Sequence, residues 1–232
     1  MPAHTRRIWK YCNTEYKVEI IFASGSPRRR VLCRKIKYIT RECDDGAHSL
    51  SNTATSDMAR FTPVFTAVDA EEKILDGALA TAEYNARLKG ERAAELYPGK
   101  IIMAFDTVVG IGDKVFGKPK DRRDAISMFE TLCGNTHEVV TAVYLRVKEK
   151  IIVKSEKTYI TFGAFDKNLV YNYVDSGAPF DKAGGYNIDD PEIKPLVKRV
   201  DGDYTNVVGL PVSMTEKLIE ENLVYGEDGY SA

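Results

Sequence analysis

Residues 100–111 of this chain have the sequence KIIMAFDTVVGI, which is apolar at almost every position. A short continuous apolar run that ends in a turn is typical of a buried strand, and Gly112–Asp113 provides the turn here. Asp106 interrupts the run. A carboxylate in such a place caps a backbone group, binds a cation or transfers a proton, because an unpartnered buried charge is costly. A capping or turn aspartate is the structural alternative, and the pattern alone leaves it open.

Predicted strands and helices lie on both sides of this run. Strands are predicted over 18–24, from 64, and over two long segments joined near 148–150; helices are predicted over 27–37, 76–96, 121–134, 166–177 and 213–223. Asp121 is expected to cap one helix, and Ser213 with Glu216 has the Ser-x-x-Glu spacing of a capping box. This mixture predicts an α/β fold with a mixed sheet.

Length and charge limit the function classes. The 232 residues and the hydrophobic content of 44% suit one full-sized domain with two lobes. The formal net charge of -1 argues against a general nucleic-acid binder, which is usually more basic. No apolar stretch approaches the roughly 18 residues of a membrane span.

The cysteines and the chain ends carry weaker signals. The four cysteines form no CxxC pair, and the three histidines are scattered, so the pattern indicates reduced thiols in a cytoplasmic protein and no zinc site. Residues 1–17 are predicted to be an N-terminal extension; a targeting role and a loosely docked tail both stay open. Residues 40–63 are polar without periodicity and are predicted to be an insertion.

Residues 22–33, FASGSPRRRVLC, place three positive charges at a predicted helix start. Ser26 is expected to be the N-cap and Pro27 the first helical residue, so that Arg28, Arg29 and Arg30 fall in the first turn. Cations are disfavoured there by the helix dipole. A bound phosphate group would remove this repulsion, so the cluster indicates an anion site. A solvated basic turn is the alternative.

Two lysines occur in settings that would hold them close to a ligand. Lys118 lies between Gly117 and Pro119, which restricts its backbone. Lys182 is followed by Gly184 and Gly185, and glycines allow a ligand to approach the backbone closely. A lysine acts as a point charge toward phosphate. Each signal is weak alone, and for the second one a plain surface loop is the favoured explanation when the stretch is taken by itself.

Taken in order, six stretches resemble the Maf family of nucleoside triphosphate pyrophosphatases, called septum-formation proteins in bacteria. The stretches are ASGSPRRRVL, YNARLKGERAAEL, FDTVVGIGDKVFGKPKD, LCGNTHEVVTAVYL, YVDSGAPFDKAGGYNI and GDYTNVVGLP, and they span most of residues 19–220. The resemblance implies a single catalytic domain over 18–225, with two lobes around a long mixed sheet. The family fold is similar to that of the inosine triphosphate pyrophosphatase group, and its active site lies in the cleft between the lobes.

The resemblance also implies roles for individual residues. Asp106 matches the catalytic proton acceptor, and Lys118, Lys182 and Glu72 match the other residues of the catalytic centre. Glu71 is a neighbouring candidate for the acidic position given to Glu72. The implied phosphate and substrate contacts are Ser24, Ser26, Arg28, Arg29, Arg92, Thr107 and Asp189, of which Arg28, Thr107 and Asp189 fall at positions linked to substrate choice. Mg²⁺, or Mn²⁺ in its place, is expected at Asp106 and Glu72.

Two departures from the family pattern affect these expectations. Arg92 stands where the family usually has the lysine of an EKA triplet, so a planar fork replaces a point charge. Asp189 stands where many members have glutamine. Because an ionised aspartate only accepts hydrogen bonds, it favours a base that presents donors or positive charge, such as 7-methylguanine, over uracil or thymine.

The expected reaction converts a modified or pyrimidine nucleoside triphosphate and water into a nucleoside monophosphate and pyrophosphate. The nucleotide is the expected partner, without nucleic acid or membrane, and the resemblance allows a homodimer. Two alternatives remain at this stage. One is a hydrolase of other phosphate esters, and the other is a non-catalytic nucleotide-binding regulator of cell division.

Overall fold

The computed structural model describes residues 18–39 and 61–224, so the N-terminal extension and residues 40–60 of the predicted insertion lie outside it. The described residues form one mixed sheet in the order β2-β1-β3-β5-β6-β7, with β4 also paired to β3. The strands are β1 (Val18–Ala23), β2 (Phe61–Thr66), β3 (Ile101–Ile111), β4 (Lys114–Phe116), β5 (Thr136–Val147), β6 (Lys150–Phe162) and β7 (Val197–Asp201). β1 runs parallel to β2 and β3, and the remaining pairs are antiparallel. The predicted α/β class with a mixed sheet is therefore confirmed.

The helices connect and cover this sheet. They are α1 (Pro27–Cys33), α2 (Ala78–Leu96), α3 (Arg122–Leu132), α4 (Lys167–Asp175), α5 (Tyr204–Val208) and α6 (Val212–Ile219), with short 3₁₀ segments at Ala178–Asp181, Ala183–Gly185 and Lys194–Leu196 and a π segment at Glu220–Val224. Asp121 caps α3 as predicted, since its Oδ1 accepts from Asp124 N at 2.8 Å. Within the described ranges, no helix has both the length and the apolar composition needed to cross a bilayer.

Helix α1 is shorter than predicted, and the capping-box prediction is wrong. The chain leaves α1 at Cys33 in tight turns that bury Ile36 and Tyr38 in the core. Helix α6 begins at Val212, before Ser213, and has no side-chain cap. The carboxylate of Glu216 instead accepts from Lys37 N at 2.8 Å, so it holds the segment after α1.

The side chains of β3 alternate between two differently covered faces. On one face, Ile102, Ala104 and Val108 pack under the alanine-rich side of α2. On the other face, Phe105 belongs to a core built with α1 and α6, whereas Val109 belongs to a second core built with α3 and α4. The molecule therefore has two apolar cores side by side on one face of the sheet, with the polar Thr107 between them.

One edge of β3 is interrupted. β5 pairs with β3 from Ile102 to Gly110 on one side. On the opposite side, β1 pairs only as far as Ala104, and β4 pairs from Val109 onward. Residues 105–108 thus have no strand neighbour on that side among the described residues. This gap opens the sheet at the one position where β3 carries a carboxylate.

The packing of α2 on β5 predicts a large effect at Gly90. A Cβ atom at this glycine would lie 2.1 Å from Cδ1 of Tyr144, and the ring is buried. Alanine favours a helix by about 1 kcal/mol over glycine, but this collision outweighs the gain. We expect Gly90→Ala to lower the free energy of unfolding by roughly 1–3 kcal/mol in urea denaturation.

Glu95→Ala on the exposed side of α2 is the control, and its effect should stay within about 0.5 kcal/mol. A stabilised Gly90→Ala protein would show that α2 does not pack against Tyr144 as described.

Candidate active site

A cavity of about 660 Å³ opens at the interrupted edge of β3. Its wall combines the loop after β1, the segment before α2, the cavity side of α2, and the two segments that carry the predicted lysines. Among its lining residues are Ser24, Ser26, Arg28, Arg29, Glu72, Lys89, Asp106, Thr107, Lys118 and Lys182. Nine of the eleven sequence-predicted site residues are thereby brought together around one space.

Lys89 of α2 links two of the carboxylates that line the cavity, Asp106 and Glu72. Its Nζ lies 2.7 Å from Oδ1 of Asp106 and 2.6 Å from Oε1 of Glu72. The side chain of Asp106 is 8% exposed and that of Glu72 is 46% exposed. The ammonium group therefore balances two negative charges, one buried in the wall and one near the opening.

The two carboxylates respond differently to the same ammonium. Burial raises the pKa of Asp106 above its ordinary value, although Lys89 opposes the rise. Burial also acts to raise the pKa of Glu72, but Lys89 outweighs it and the pKa is lowered. Because the folded-state pKa of Asp106 exceeds the unfolded value, its ionisation opposes folding at neutral pH, and this cost disappears as the pH falls through the folded-state pKa. Asp106 is the better proton acceptor, and Glu72 stays a stable anion.

Arg29 is held inside the wall by the protein itself. Its Nε donates to the carbonyl of Gly209 at 2.7 Å, and its two Nη atoms donate to the hydroxyls of Ser24 at 3.2 Å and Thr107 at 2.9 Å. Burial lowers its pKa to about 10, against the raising effect of Asp106. The guanidinium remains charged at neutral pH and contributes a fixed positive field.

The other two arginines of the turn lie differently. Ser26 caps α1 as predicted, accepting from the backbone N–H of Arg29 at 3.4 Å. Arg28 lines the cavity and lies 3.8 Å from a carboxylate oxygen of Asp181. Arg30 is exposed and packs over the ring of Phe65, with 4.9 Å from its guanidinium carbon to the ring centroid. The predicted cluster thus supplies two of its three cations to the cavity.

The two predicted lysines come from segments that are tied to each other. Gly184 N donates to the carbonyl of Gly117 at 3.0 Å, which joins the chain beside Lys118 to the chain beside Lys182. Gly184 has a φ of +67°, and a Cβ there would lie 3.0 Å from the side chain of Val109. Glycine is required at this position, because a side chain would be strained and would press on β3. Lys182 is 11% exposed and donates to Asp181 at 2.6 Å.

Arg92 and Asp189 are the two predicted site residues that are not in the cavity lining, and their roles stay predictions. Arg92 is about one turn beyond Lys89 along α2. Its guanidinium pairs with Glu95 at 2.7 Å and its side chain is 52% exposed. Asp189 is also exposed and accepts from the hydroxyl of Tyr204 at 2.6 Å. Asn187, two residues earlier, lines the cavity instead.

Lys89 is not among the site residues predicted from the sequence, although the sequence contains a signal for it. Thr81, Asn85 and Lys89 form a polar stripe at i, i+4 spacing on a helix whose neighbouring buried positions are alanine, and all three line the cavity. Asn85 also exchanges hydrogen bonds with both backbone groups of Lys73, at 2.9 and 3.0 Å. This clamp fixes the segment that carries Glu72.

Asp106 and Glu72 suit a hard metal ion only if a bound phosphate group supplies further oxygen ligands. In the described part of the chain, no group of three or more His, Cys, Asp or Glu residues is arranged to hold a metal. Asp106 and Glu72 share a common cation, Lys89, so their oxygens converge on one region. Mg²⁺ is typically held by one or two carboxylates plus phosphate oxygens and water, and the donor set fits this pattern.

The chain is similar to a defined family and to named enzymes. The family model described as Maf-like protein matches residues 19–222. A dTTP/UTP pyrophosphatase of Bacillus pumilus is 32% identical over 205 residues, covering 87% of this chain and 95% of the relative. One of Pyrococcus furiosus is 37% identical over 202 residues, covering 87% and 94%. One of Thermosipho africanus is 42% identical over 122 residues, covering 53% and 63%.

The bridging ammonium predicts a measurable change at Asp106. Replacing Lys89 by methionine keeps the apolar stem but removes the charge that lowers the pKa of Asp106, while burial and Glu72 still raise it. We expect the pKa of Asp106 in Lys89→Met to lie above that of the wild type in a carboxyl ¹³C NMR titration.

Arg87→Met on the exposed side of α2 serves as control and should leave the titration of Asp106 unchanged. An unchanged or lower pKa in Lys89→Met would contradict the bridge.

Proposed function

The chain belongs to the Maf-like protein family, and we propose that it is a nucleoside triphosphate pyrophosphatase. It would hydrolyse a nucleoside triphosphate to the monophosphate and pyrophosphate, as the names of its relatives indicate for those proteins. One observation carries the proposal. A buried carboxylate with a raised pKa shares a single cavity with Arg28, Arg29, Lys118 and Lys182.

The cations of the cavity match the charge of the substrate. A triphosphate carries about four negative charges near neutral pH, and its transition state spreads charge over the phosphoryl oxygens. Arg29 is fixed by three hydrogen bonds, whereas Arg28 and Lys182 both contact the exposed carboxylate of Asp181, and Lys182 also donates to the carbonyl of Ala178. A phosphate group would replace that carboxylate as the partner of both side chains. Lys89 is a further cation of this cavity, in addition to the cations predicted from the sequence.

Asp106 is suited to accept the proton of the attacking water. In the proposed reaction, water oxygen bonds to the α-phosphorus, the bond from that phosphorus to the bridging oxygen breaks, and pyrophosphate leaves. The water proton passes to the carboxylate of Asp106, whose raised pKa makes it a stronger base than an ordinary aspartate. Lys89 fixes the carboxylate at 2.7 Å, so it is oriented before the substrate arrives.

Mg²⁺ or Mn²⁺ is part of the proposal. Asp106 and Glu72 would hold the ion together with phosphate oxygens, and the bound ion would supply charge neutralisation and activation of water. Glu72 is the more accessible of the two carboxylates, and Lys118 and Lys89 keep its pKa low, so it stays available as a ligand.

The regulatory alternative is not favoured. A non-catalytic nucleotide binder would need the same cations but would have no use for a buried carboxylate of raised pKa, and the relatives named above are hydrolases. Homodimer formation stays a prediction from the resemblance, and a cytoplasmic location stays a prediction from the cysteine pattern.

A nucleotide panel tests the proposed function. Canonical, 7-methylated and other modified triphosphates are incubated with the protein in Mg²⁺, in Mn²⁺ and in EDTA, and pyrophosphate and inorganic phosphate are measured separately. Metal-dependent release of pyrophosphate with a matching monophosphate supports the proposal. Release of inorganic phosphate would identify a phosphatase, and tight binding without turnover would identify a regulator.

Asp106→Asn should abolish nearly all hydrolysis while the fold is retained. The amide keeps the shape of the side chain but cannot take the water proton, and it offers a poorer oxygen to a metal ion. Pyrophosphate release is compared with the wild type, and circular dichroism verifies the fold. Turnover at the wild-type rate in this variant would remove Asp106 from the catalytic role.

Arg28→Ala and Lys118→Ala should each lower kcat/KM by about 10²-fold or more, because each removes a positive charge that faces the phosphates. Arg92→Ala is the matched control. It removes a family-pattern cation that lies outside the cavity lining, and its kcat/KM should equal that of the wild type. A loss in Arg92→Ala as large as in Arg28→Ala would show that the cavity is not the substrate site.

A further inference from the structure

We propose that Asn206 and Thr141, which both lie outside the cavity lining, are positioning residues that hold Arg29 in the orientation in which it binds a phosphate group. They act through Thr107, whose hydroxyl contacts the guanidinium. This inference rests on the proposed function and deepens it, because it names residues that prepare the site without touching the substrate. It also gives a task to the stretch GDYTNVVGLP, which carries the family resemblance but none of the predicted site residues.

Asn206 is the buried end of a hydrogen-bonded chain. It lies in α5, and it is fully buried. Its Nδ2 donates to the carbonyl of Val139 and to the hydroxyl of Thr158, both at 3.0 Å, and its Oδ1 accepts from the backbone N–H of Thr141 at 3.1 Å. Because a carbonyl only accepts and an N–H only donates, the backbone of β5 dictates which way this amide faces.

The hydroxyl protons of the two threonines can point in one direction only. The hydroxyl of Thr141 donates its single proton to the carbonyl of Asn206 at 2.9 Å. The hydroxyl of Thr107 lies 3.0 Å from that of Thr141, so Thr107 must be the donor between the two. Thr107 therefore meets Arg29 with a lone pair, and Nη2 of Arg29 donates to it at 2.9 Å. No hydroxyl proton of Thr107 is left for a phosphate oxygen.

Helix α5 supports the guanidinium from a second side as well. The helix ends at its C-cap Gly209, whose N–H donates to the carbonyl of Asn206 at 2.9 Å. The carbonyl of Gly209 in turn accepts from Nε of Arg29 at 2.7 Å. The same asparagine thus supports two of the three acceptors of the guanidinium, one through the threonines and one through the helix end.

This arrangement leaves a defined part of Arg29 for a ligand. A guanidinium has five N–H groups, and three of them donate to Gly209, Thr107 and Ser24. One N–H of each Nη atom is therefore without a partner among the described residues. Two N–H groups in one rigid plane can bind two oxygens of a phosphate group. Because folding has already oriented this plane, it does not have to be ordered when the substrate binds.

The test replaces Thr141 by valine, which keeps the branched shape but removes the hydroxyl. The proton of Thr107 then loses its acceptor, and its hydroxyl no longer has to face Arg29 with a lone pair. We expect faster rotation of the Arg29 guanidinium about its Nε–Cζ bond, measured by NMR on arginine-labelled protein. Calorimetry with pyrophosphate in Mg²⁺ should show binding weakened by about tenfold, the size of the loss of one hydrogen bond to a charged group. Thr141→Ser restores the hydroxyl and should match the wild type in both measurements.

Thr136→Val is the matched control. Thr136 lies on the same strand and forms the same kind of cross-strand hydroxyl pair, with Thr161 at 2.8 Å, but it is exposed. Its valine variant should equal the wild type in guanidinium rotation and in pyrophosphate binding. If circular dichroism shows that Thr141→Val does not fold, Thr107→Val tests the other end of the chain. It removes the acceptor of Nη2 directly, so the rotation should again be faster, and Thr107→Ser should restore it.

Three outcomes would overturn the inference. They are an unchanged guanidinium rotation in the folded valine variant, a faster rotation without weaker binding of pyrophosphate, and a Thr141→Ser variant as impaired as Thr141→Val. Failure of the proposed function is a different result. The wild type would then release no pyrophosphate from any nucleotide, whereas the guanidinium rotation would still separate the valine variant from the serine variant.

Discussion

The structure depends on the interrupted edge of β3. A strand in the interior of a sheet normally has a neighbour on each side, which satisfies its backbone groups and excludes water. Here β1 stops beside Ala104 and β4 starts beside Val109, so a strand buried in the sheet opens to a cavity over four residues. Asp106 lies in that opening. The carboxylate can thus be buried by the sheet and still reach a ligand.

Burial and charge give the ionisable residues of the cavity different properties. The sheet raises the pKa of Asp106, and the ammonium of Lys89 limits the rise while it keeps Glu72 ionised. Arg29 is hydrogen-bonded to the cavity wall. Arg28 and Lys182 contact the exposed carboxylate of Asp181, which a phosphate group could replace as their partner. The same site therefore contains a positive charge fixed in the wall and two cations whose carboxylate partner is exposed.

The arrangement of cores explains why one cavity has two different ends. The core around Phe105 supports the arginine loop, and the core around Val109 supports the segment that carries Lys182 and Asn187. The first end offers the arginines, and the second combines the apolar side chains around Val109 with the ammonium of Lys182. A molecule with a polyanionic tail and a flat ring fits this division, as the relatives' names suggest for a nucleotide.

The sequence alone determined the buried β3, the cap at Asp121, the arginine turn and the family resemblance, because these features are local in the chain. The tertiary structure decided which cations lie beside the carboxylate of Asp106. Arg92 and Lys89 lie on similar sides of α2, and only the position of the gap in the sheet places Lys89 at Asp106 and leaves Arg92 with Glu95. In the same way, the hydrogen bonds of Asp190 and Tyr204 separate Asn187 from Asp189. Such partners come from distant parts of the chain, so periodicity and motif spacing cannot reveal them.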